Sequence, residues 1–202
     1  MTRRGTAERR TAETSVRVEL DLDGTGRAEV STGIGFFDHL LELLARHALI
    51  DLRVAAEGDL HVDDHHTVED TGLVLGRALD EALGERRAIR RYGDARIPMD
   101  EALAEAAIDL GGRFHAAIRP RPDPTSGVSP WLELVPHFLE TLAREARLTL
   151  HLEVRGALSS HHLVEAAMKA FARALRQASE LDPRLVELSG DAATPSSKGT
   201  LR

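Results

Sequence analysis

The sequence predicts an α+β fold built from two internally duplicated halves, and three observations lead to this prediction. The motif HHTVE at 65–69 returns as HHLVE at 161–165. A further histidine precedes each motif in similar surroundings, DHLLELLA at 38–45 and PHFLETLA at 136–143. The segments that follow the two motifs, GRALDEA and ARALRQA, are also alike and begin seven residues beyond the glutamate of their motif. Duplication of one ancestral unit explains this pattern better than chance.

The elements of the first half follow from turn signals and hydrophobic periodicity. Two alternating runs flank the turn DGTG and predict an antiparallel hairpin over 14–30. Apolar residues at helical spacing then predict a helix over 36–47. A strand at 51–56 and a helix over 65–83, which Gly84 can terminate, complete the unit.

The second half has the same order of elements, so each half is predicted to be β-β-α-β-α, a small sheet with helices on one face. Its strands are expected at 93–102, 104–118 and 147–154, its helices at 131–146 and 161–179, and a proline-rich loop at 120–130. We place the first half-domain at 1–86, the second at 87–181, and a C-terminal tail, rich in turn formers, at 182–202.

Composition excludes several classes of protein. The net charge of −7 gives no basic face for nonspecific nucleic-acid binding. The absence of a long apolar run predicts a protein without a membrane span or secretory signal, and we expect it in the cytoplasm. Because the chain has no cysteine, histidine and carboxylate are its only strong metal ligands.

The spacing within each repeated motif indicates a metal site. Residues four apart on a helix lie about 40° apart around its axis and residues three apart about 60°, so His65 or His66 can share a face with Glu69. His161 or His162 can do the same with Glu165. The adjacent histidines of a pair point about 100° apart, so one of each pair must serve a second metal. The geometry therefore predicts two metal ions, each bound by ligands from both halves or from neighbouring subunits.

A lone HHxxE on a helix is more often a polar face than a metal site. Its repetition, each time with an upstream histidine, His39 or His137, makes a metal site the better interpretation. The order of the ligands matches neither the HExxH nor the HxxEH zinc peptidases, nor the Glu-x-x-His of di-iron bundles. Open coordination positions at such sites would favour catalysis over a purely structural role.

With these residues established, the chain resembles the imidazoleglycerol-phosphate dehydratase family over nearly its whole length. The blocks that carry the resemblance are RTAET at 10–14, STGIGFFDHLL at 31–41, GDLHVDDHHTVEDTG at 58–72, IRRYGDARIPMDEALA at 89–104, ARLTLHLEV at 146–154, HHLVEAAMKAFARAL at 161–175 and PSSKG at 195–199.

The resemblance implies a lyase of histidine biosynthesis that dehydrates D-erythro-imidazoleglycerol phosphate to imidazoleacetol phosphate. It also implies two manganese ions in each active site, at interfaces between subunits of a homo-oligomer of 24 chains. Together with the two-site geometry, it leads us to expect a dimetal-bound imidazolate intermediate, formed because metal ions on both ring nitrogens favour loss of the ring proton.

Carried over residue by residue, the resemblance assigns the metal ligands, the phosphate-binding residues and one further catalytic residue. Glu13 matches an active-site glutamate and is our candidate proton carrier, and we count the ligands Glu69 and Glu165 as catalytic too. The metal ligands are His39, His65, His66, Glu69, His137, His161, His162 and Glu165, and the phosphate-binding residues are Arg91, Arg113, Lys169, Ser196, Ser197 and Lys198.

Two other functions fit parts of the sequence. A metal-binding or storage assembly without catalysis would use the ligands but leave Glu13 and the phosphate set unexplained. A metal-dependent hydrolase could act on a phosphorylated small molecule. Elimination of water from imidazoleglycerol phosphate, without release of phosphate, distinguishes the dehydratase from both.

Overall fold

The structure, a computed structural model, describes residues 3–119, 129–156, 159–189, 193–199 and 201. Within these ranges it contains eight strands and five helices. The strands are β1 (Arg4–Arg10), β2 (Thr14–Asp21), β3 (Ala28–Ser31), β4 (Asp51–Gly58), β5 (Tyr92–Met99), β6 (Ala102–Asp109), β7 (His115–Arg119) and β8 (Thr149–Arg155). The helices are α1 (Gly35–Ala48), α2 (His65–Leu83), α3 (Trp131–Glu145), α4 (Ser160–Ser179) and α5 (Pro183–Ser189).

The strands form two four-stranded sheets with the same topology. The first has the order β1-β2-β4-β3 and the second β5-β6-β8-β7. In each sheet the first three strands are antiparallel, and the short last strand pairs in parallel with its neighbour. This repetition confirms the duplicated α+β fold class.

Helices α1 to α4 pack between the two sheets and join the halves into one core. Alternate residues of β2, β4, β6 and β8 are buried, so each sheet has one inner face. Helix α2 covers the first sheet and α4 covers the second. Helix α1 packs on α4 and α3 packs on α2, which means that each half places a helix against the other half.

Two glycines allow the close contact between α2 and α3. A Cβ on Gly72 would lie 2.9 Å from the carbonyl oxygen of Phe138, and one on Gly76 would lie 2.6 Å from that of Leu142. A side chain at either position would force the helices apart. The glycines therefore help to hold the start of α2 near the histidine of α3.

The predicted helices are confirmed, whereas the predicted hairpin over 14–30 is wrong. Strand β4 lies between β2 and β3, and β3 pairs with β4 in parallel. The turn does not close a hairpin because the Asp51 carboxylate, on β4, accepts hydrogen bonds from the backbone N–H groups of Thr25 and Arg27.

The structure also contains more elements than the sequence predicted. Each half has an additional strand, since β1 was not predicted and the segment 104–118 divides into β6 and β7. Helix α5 lies within the predicted tail. The loop predicted at 120–130 falls mostly outside the described residues, and the boundaries proposed at 86 and 181 stay predictions because the halves share one core.

Candidate metal centre and active site

The first group of candidate ligands lies where α2 meets α3. His65 and Glu69, one helical turn apart on α2, face His137 on α3. The Glu69 carboxylate is 3.9 Å from His65 Nε2 and 3.3 Å from His137 Nε2, and the two imidazole rings stack with centroids 4.9 Å apart. We call these three residues the first triad.

The second group repeats this arrangement where α4 meets α1. His161 and Glu165 on α4 face His39 on α1, and Glu165 Oε1 is 2.6 Å from His161 Nε2 and 3.1 Å from His39 Nε2. We call these residues the second triad. Each triad thus takes its histidine–glutamate pair from one half and its third residue from the other.

The two triad carboxylates differ in burial and in their neighbours. The Glu69 side chain is 42% exposed, whereas that of Glu165 is 7% exposed and accepts a 2.7 Å hydrogen bond from Lys169 Nζ. Burial raises the pKa of Glu165, but the hydrogen bonds from Lys169 and His39 outweigh it and bring the pKa below its ordinary value. Glu165 is therefore held as a carboxylate.

The remaining histidine of each pair points away from its triad and meets another carboxylate. His66 Nδ1 is 3.0 Å from Asp59 Oδ2, and His162 Nδ1 is 2.9 Å from Glu101 Oε2. These hydrogen bonds raise the pKa of both histidines, and the charge of the nearby Glu13 adds to the effect on His66. The sequence reasoning did not single out Asp59 or Glu101.

Glu13 lies on the turn between β1 and β2, and a polar network holds this turn. Thr11 Oγ1 accepts hydrogen bonds from the backbone N–H groups of Glu13 and Thr14. The Thr14 hydroxyl in turn donates to the buried Asp70 carboxylate, which also pairs with Arg9 at 2.7 Å. Because Asp70 directly follows the triad residue Glu69, the network connects the Glu13 turn to the first triad. The sequence reasoning missed this network as well.

Arg91 lies beside the C-terminal tail segment, with which the resemblance groups it for phosphate binding. It forms a bidentate ion pair with Asp109, with N–O distances of 2.7 and 3.0 Å. It also donates a hydrogen bond of 2.9 Å to the carbonyl oxygen of Pro195. Its φ of 71° is unusual for a residue other than glycine and costs on the order of 1 kcal/mol. The backbone hydrogen bonds to Ala178 and Leu110 maintain this conformation.

The other candidate phosphate-binding residues divide between two places. Ser196, Ser197 and Lys198 follow Pro195 in a turn closed by the hydrogen bond from Gly199 N to Ser196 O. Lys169 instead contacts Glu165, and the described residues show no contact between it and the tail. Arg113 lies in the connection between β6 and β7, where its carbonyl oxygen accepts a hydrogen bond from Thr149.

The first triad meets the chemical requirements of a divalent-metal site. Its imidazole nitrogens and carboxylate oxygen lie within 4.8 Å of one another. His137 Nε2 is buried and makes no hydrogen bond within the described part of the chain, so its lone pair is available to a metal. Asp100, Glu101 and His162 form another such group at the end of β5. Imidazole and carboxylate together suit manganese, iron, zinc and nickel.

The fold and these side-chain groups define an internally duplicated α+β enzyme with histidine–carboxylate clusters of the metal-binding type. The family model described as imidazoleglycerol-phosphate dehydratase matches residues 32–175. The imidazoleglycerol-phosphate dehydratase of Granulibacter bethesdensis is 54% identical over 202 residues, which is 100% of both chains. The chain belongs to the imidazoleglycerol-phosphate dehydratase family.

Solved structures agree with this assignment. The crystal structure of imidazoleglycerol-phosphate dehydratase from Staphylococcus aureus is 32% identical, with a TM-score of 0.76, and the match covers 89% of this chain and 99% of that one. A structure from Pyrococcus furiosus is 34% identical with the same TM-score and covers 96% and 99%.

The enzyme class, a dehydratase of histidine biosynthesis, is thereby established, and the family is metal-dependent in general. This outcome sets aside the alternatives of storage and phosphate hydrolysis. Within the described ranges, no helix combines the length and apolar character that a membrane crossing needs.

Proposed function

We propose that the two triads are the metal-binding parts of an active site at which imidazoleglycerol phosphate loses water to give imidazoleacetol phosphate. The observation that carries this proposal is the repeated geometry, in which a histidine–glutamate pair of each half meets a histidine of the other half. One triad supplies only three ligands, so open coordination positions are available for His66 or His162 and for the substrate.

The remaining two histidines indicate how the metal sites would be completed. His66 and His162 point away from the triads of their own chain, so we infer that they bind metals held by triads of neighbouring subunits. Two manganese ions in each active site would then lie at subunit interfaces. This requirement supports a homo-oligomer, for which we propose the 24-chain assembly, acting in the cytoplasm.

When bound, two such ions would supply Lewis-acid chemistry that favours loss of the imidazole ring proton, which is the dimetal route expected from the resemblance. The triad glutamates, Glu69 and Glu165, would hold the ions and so fix the ring. Glu13 would carry a proton as the hydroxyl beside the ring leaves and the neighbouring carbon loses its hydrogen, giving an enol that becomes the ketone. Its carboxylate makes no hydrogen bond among the described residues, so it is available for this role.

The phosphate would be bound by the arginines and the tail. Arg91 has a planar guanidinium suited to paired contacts with phosphate oxygens, and it already holds the tail at Pro195. Arg113, Ser196, Ser197 and Lys198 would complete this part of the site. Lys169 lies beside Glu165 in the second triad, so we assign it to a phosphate that reaches the metal centre from a neighbouring subunit.

The test is product formation from imidazoleglycerol phosphate by metal-stripped protein, before and after addition of manganese, with the bound metal counted per subunit. We expect no conversion without metal, restored conversion with two manganese ions per active site, and no release of inorganic phosphate. Full activity in the stripped protein, or activity restored at one ion per site, would contradict the dimetal proposal.

A further inference from the structure

The second histidine of each HH pair has a fixed hydrogen-bonding state. A carboxylate oxygen can only accept, so the Nδ1 atoms of His66 and His162 must carry the hydrogen that they share with Asp59 and Glu101. In a neutral imidazole the other nitrogen, Nε2, then carries a lone pair. When neutral, both rings are thus held in the tautomer that can bind a metal through Nε2.

The two carboxylates do not come from equivalent places in the duplicated halves. Thr14 pairs with Gly58 in the first sheet. In the second sheet Leu103 pairs with Arg155, so the antiparallel register places Ala102 opposite Gly156, the counterpart of Gly58. Ala102 therefore corresponds to Thr14. Glu101 is therefore the counterpart of Glu13, because Glu13 directly precedes β2 and Glu101 directly precedes β6.

The counterpart of Asp59 has no carboxylate. Asp59 follows Gly58 at the end of β4, and in the second half the residue that follows Gly156 is Ala157 in the sequence. In the first half Asp59 and Glu13 lie close to the HH pair. In the second half the acids beside His162 are Glu101, which accepts the hydrogen bond from Nδ1, and Asp100, which lies 3.8 Å from Nε2. In the first half Asp59 accepts the hydrogen bond from His66, and the carboxylate of the turn glutamate Glu13 makes no hydrogen bond among the described residues.

We propose that Asp59 and Glu101 are positioning residues that orient His66 and His162 for metal binding, and that Asp59 thereby leaves Glu13 available for proton transfer. The proposal rests on the proposed function, since it assumes that His66 and His162 bind metal. It assigns different roles to two glutamates that occupy the same place in the duplicated fold: Glu101 orients a ligand, whereas Glu13 acts on the substrate.

The experiment compares Asp59→Ala and Glu101→Ala with the control Glu57→Ala, an exposed strand residue near Asp59. Metal-stripped protein is titrated with manganese, and the free ion is counted by electron paramagnetic resonance. Loss of such a carboxylate partner weakens metal binding by about 10- to 100-fold, so we expect each variant to weaken one of the two sites by that amount. Glu57→Ala should bind manganese as the wild type does.

Conservative variants separate orientation from general damage to the fold. Asp59→Asn and Glu101→Gln keep an acceptor oxygen, so they should retain more affinity than the alanine variants, and circular dichroism should show that all of them fold. Unchanged manganese affinity in both alanine variants would overturn the proposal. A wild type that binds no manganese would instead overturn the proposed function, and this inference with it.

A double variant tests the role assigned to Glu13. In Asp59→Ala, Glu13 occupies the place from which Glu101 reaches its histidine, so it should become the partner of His66 and preserve part of the affinity. Adding Glu13→Ala to Asp59→Ala should then weaken manganese binding further, although Glu13→Ala alone leaves it unchanged. If the second substitution has no effect on affinity, Glu13 cannot replace Asp59 and this part of the proposal fails.

Discussion

The two triads contain the same ligand types on equivalent helices, yet their surroundings differ. In the second triad Glu165 is buried and bonded to Lys169, whereas in the first Glu69 is half exposed and Leu73 occupies the position equivalent to the lysine. The difference shows that duplication preserved the atoms that would bind the metals while the residues one turn away diverged.

A second difference gives the first half a feature that the second half lacks. Asp70, next to Glu69, holds Thr14 and Arg9 and thereby the turn that carries Glu13. The corresponding residue after Glu165 is Ala166, so the second half cannot form this network. The first half therefore has a hydrogen-bonded support for a turn glutamate, and the second half has an ion pair at its triad glutamate. The two halves thus differ around a common set of proposed ligands.

The largest expected effect separates the two turn glutamates. Glu13→Gln should lower kcat by about 10²- to 10⁴-fold, because a positioned acid–base group contributes that much, while manganese binding stays intact. Steady-state kinetics with a parallel metal titration checks this. A Glu13→Gln enzyme with wild-type turnover would remove Glu13 from the mechanism and with it the functional contrast between the halves.

The next effect concerns the ion pair found only in the second triad. Lys169→Met leaves the buried Glu165 without its lysine, so we expect the free energy of unfolding to fall by up to about 3 kcal/mol. The pKa of Glu165 should rise, because the lysine hydrogen bond helps to keep it low. As the pH is lowered, Glu165 should then become protonated earlier, and manganese should be lost from the second triad at a higher pH than in the wild type.

Urea unfolding of the metal-free protein and metal content measured across pH check these outcomes. Leu73→Met, at the equivalent position of the first half, is the matched control and should change neither the metal content nor its pH dependence. Equal behaviour of the two variants would show that Lys169 does not distinguish the triads.

The sequence was sufficient to predict the duplicated fold class and the helices that carry the triad residues. The HHxxE repeat combines helical spacing with ligand chemistry, and both can be recognised in the sequence. Which histidine of each pair faces the glutamate could not be predicted, because spacings of three and four residues both lie on one helix face. The structure selects His65 and His161, each four residues before its glutamate.

Asp59 and Glu101 could not be identified from the repeat itself. They occupy different places in the two halves, and loops of different length separate Glu13 and Glu101 from the motifs that follow them. Their common hydrogen bond to the second histidine of each pair becomes visible only in the folded structure. The parallel strand β3 was missed for a related reason, since the turn before it is held by Asp51 from a strand later in the chain.

A smaller effect should follow from removing the network under the Glu13 turn. Asp70→Ala gives the first half the residue that the second half has at Ala166, and it leaves Arg9 and Thr14 without their partner. We expect a loss of about 2 kcal/mol in the free energy of unfolding, as for removing one partner of a buried polar group.

Because the turn would lose its support, kcat should fall while KM changes little, and manganese affinity should not change. Thermal unfolding and steady-state kinetics together check this. Thr11→Ala, which removes the other hydrogen bonds of the turn, is a second test and should lower kcat without breaking the Arg9 pair. A stability loss with unchanged kcat in both variants would show that the network serves the fold alone.

The smallest effect concerns Asp51, which has the threonine Thr149 as its counterpart. Hydrogen bonds from the backbone N–H groups of Thr25 and Arg27 lower the pKa of Asp51 in the folded protein. A carboxyl group whose folded pKa is lowered stabilises the fold above its unfolded pKa, about 3.9, and this contribution disappears as the pH falls through the folded value. Asp51→Asn should therefore be less stable than the wild type at pH 6, and the difference should shrink below about pH 4. Urea midpoints of the metal-free proteins across this range measure the difference.

Thr149→Val, which removes the hydroxyl bound to the Arg113 carbonyl, is the control and should differ from the wild type by the same amount at every pH. A pH-independent difference for Asp51→Asn as well would mean that the shape of the side chain, rather than its charge, holds the turn.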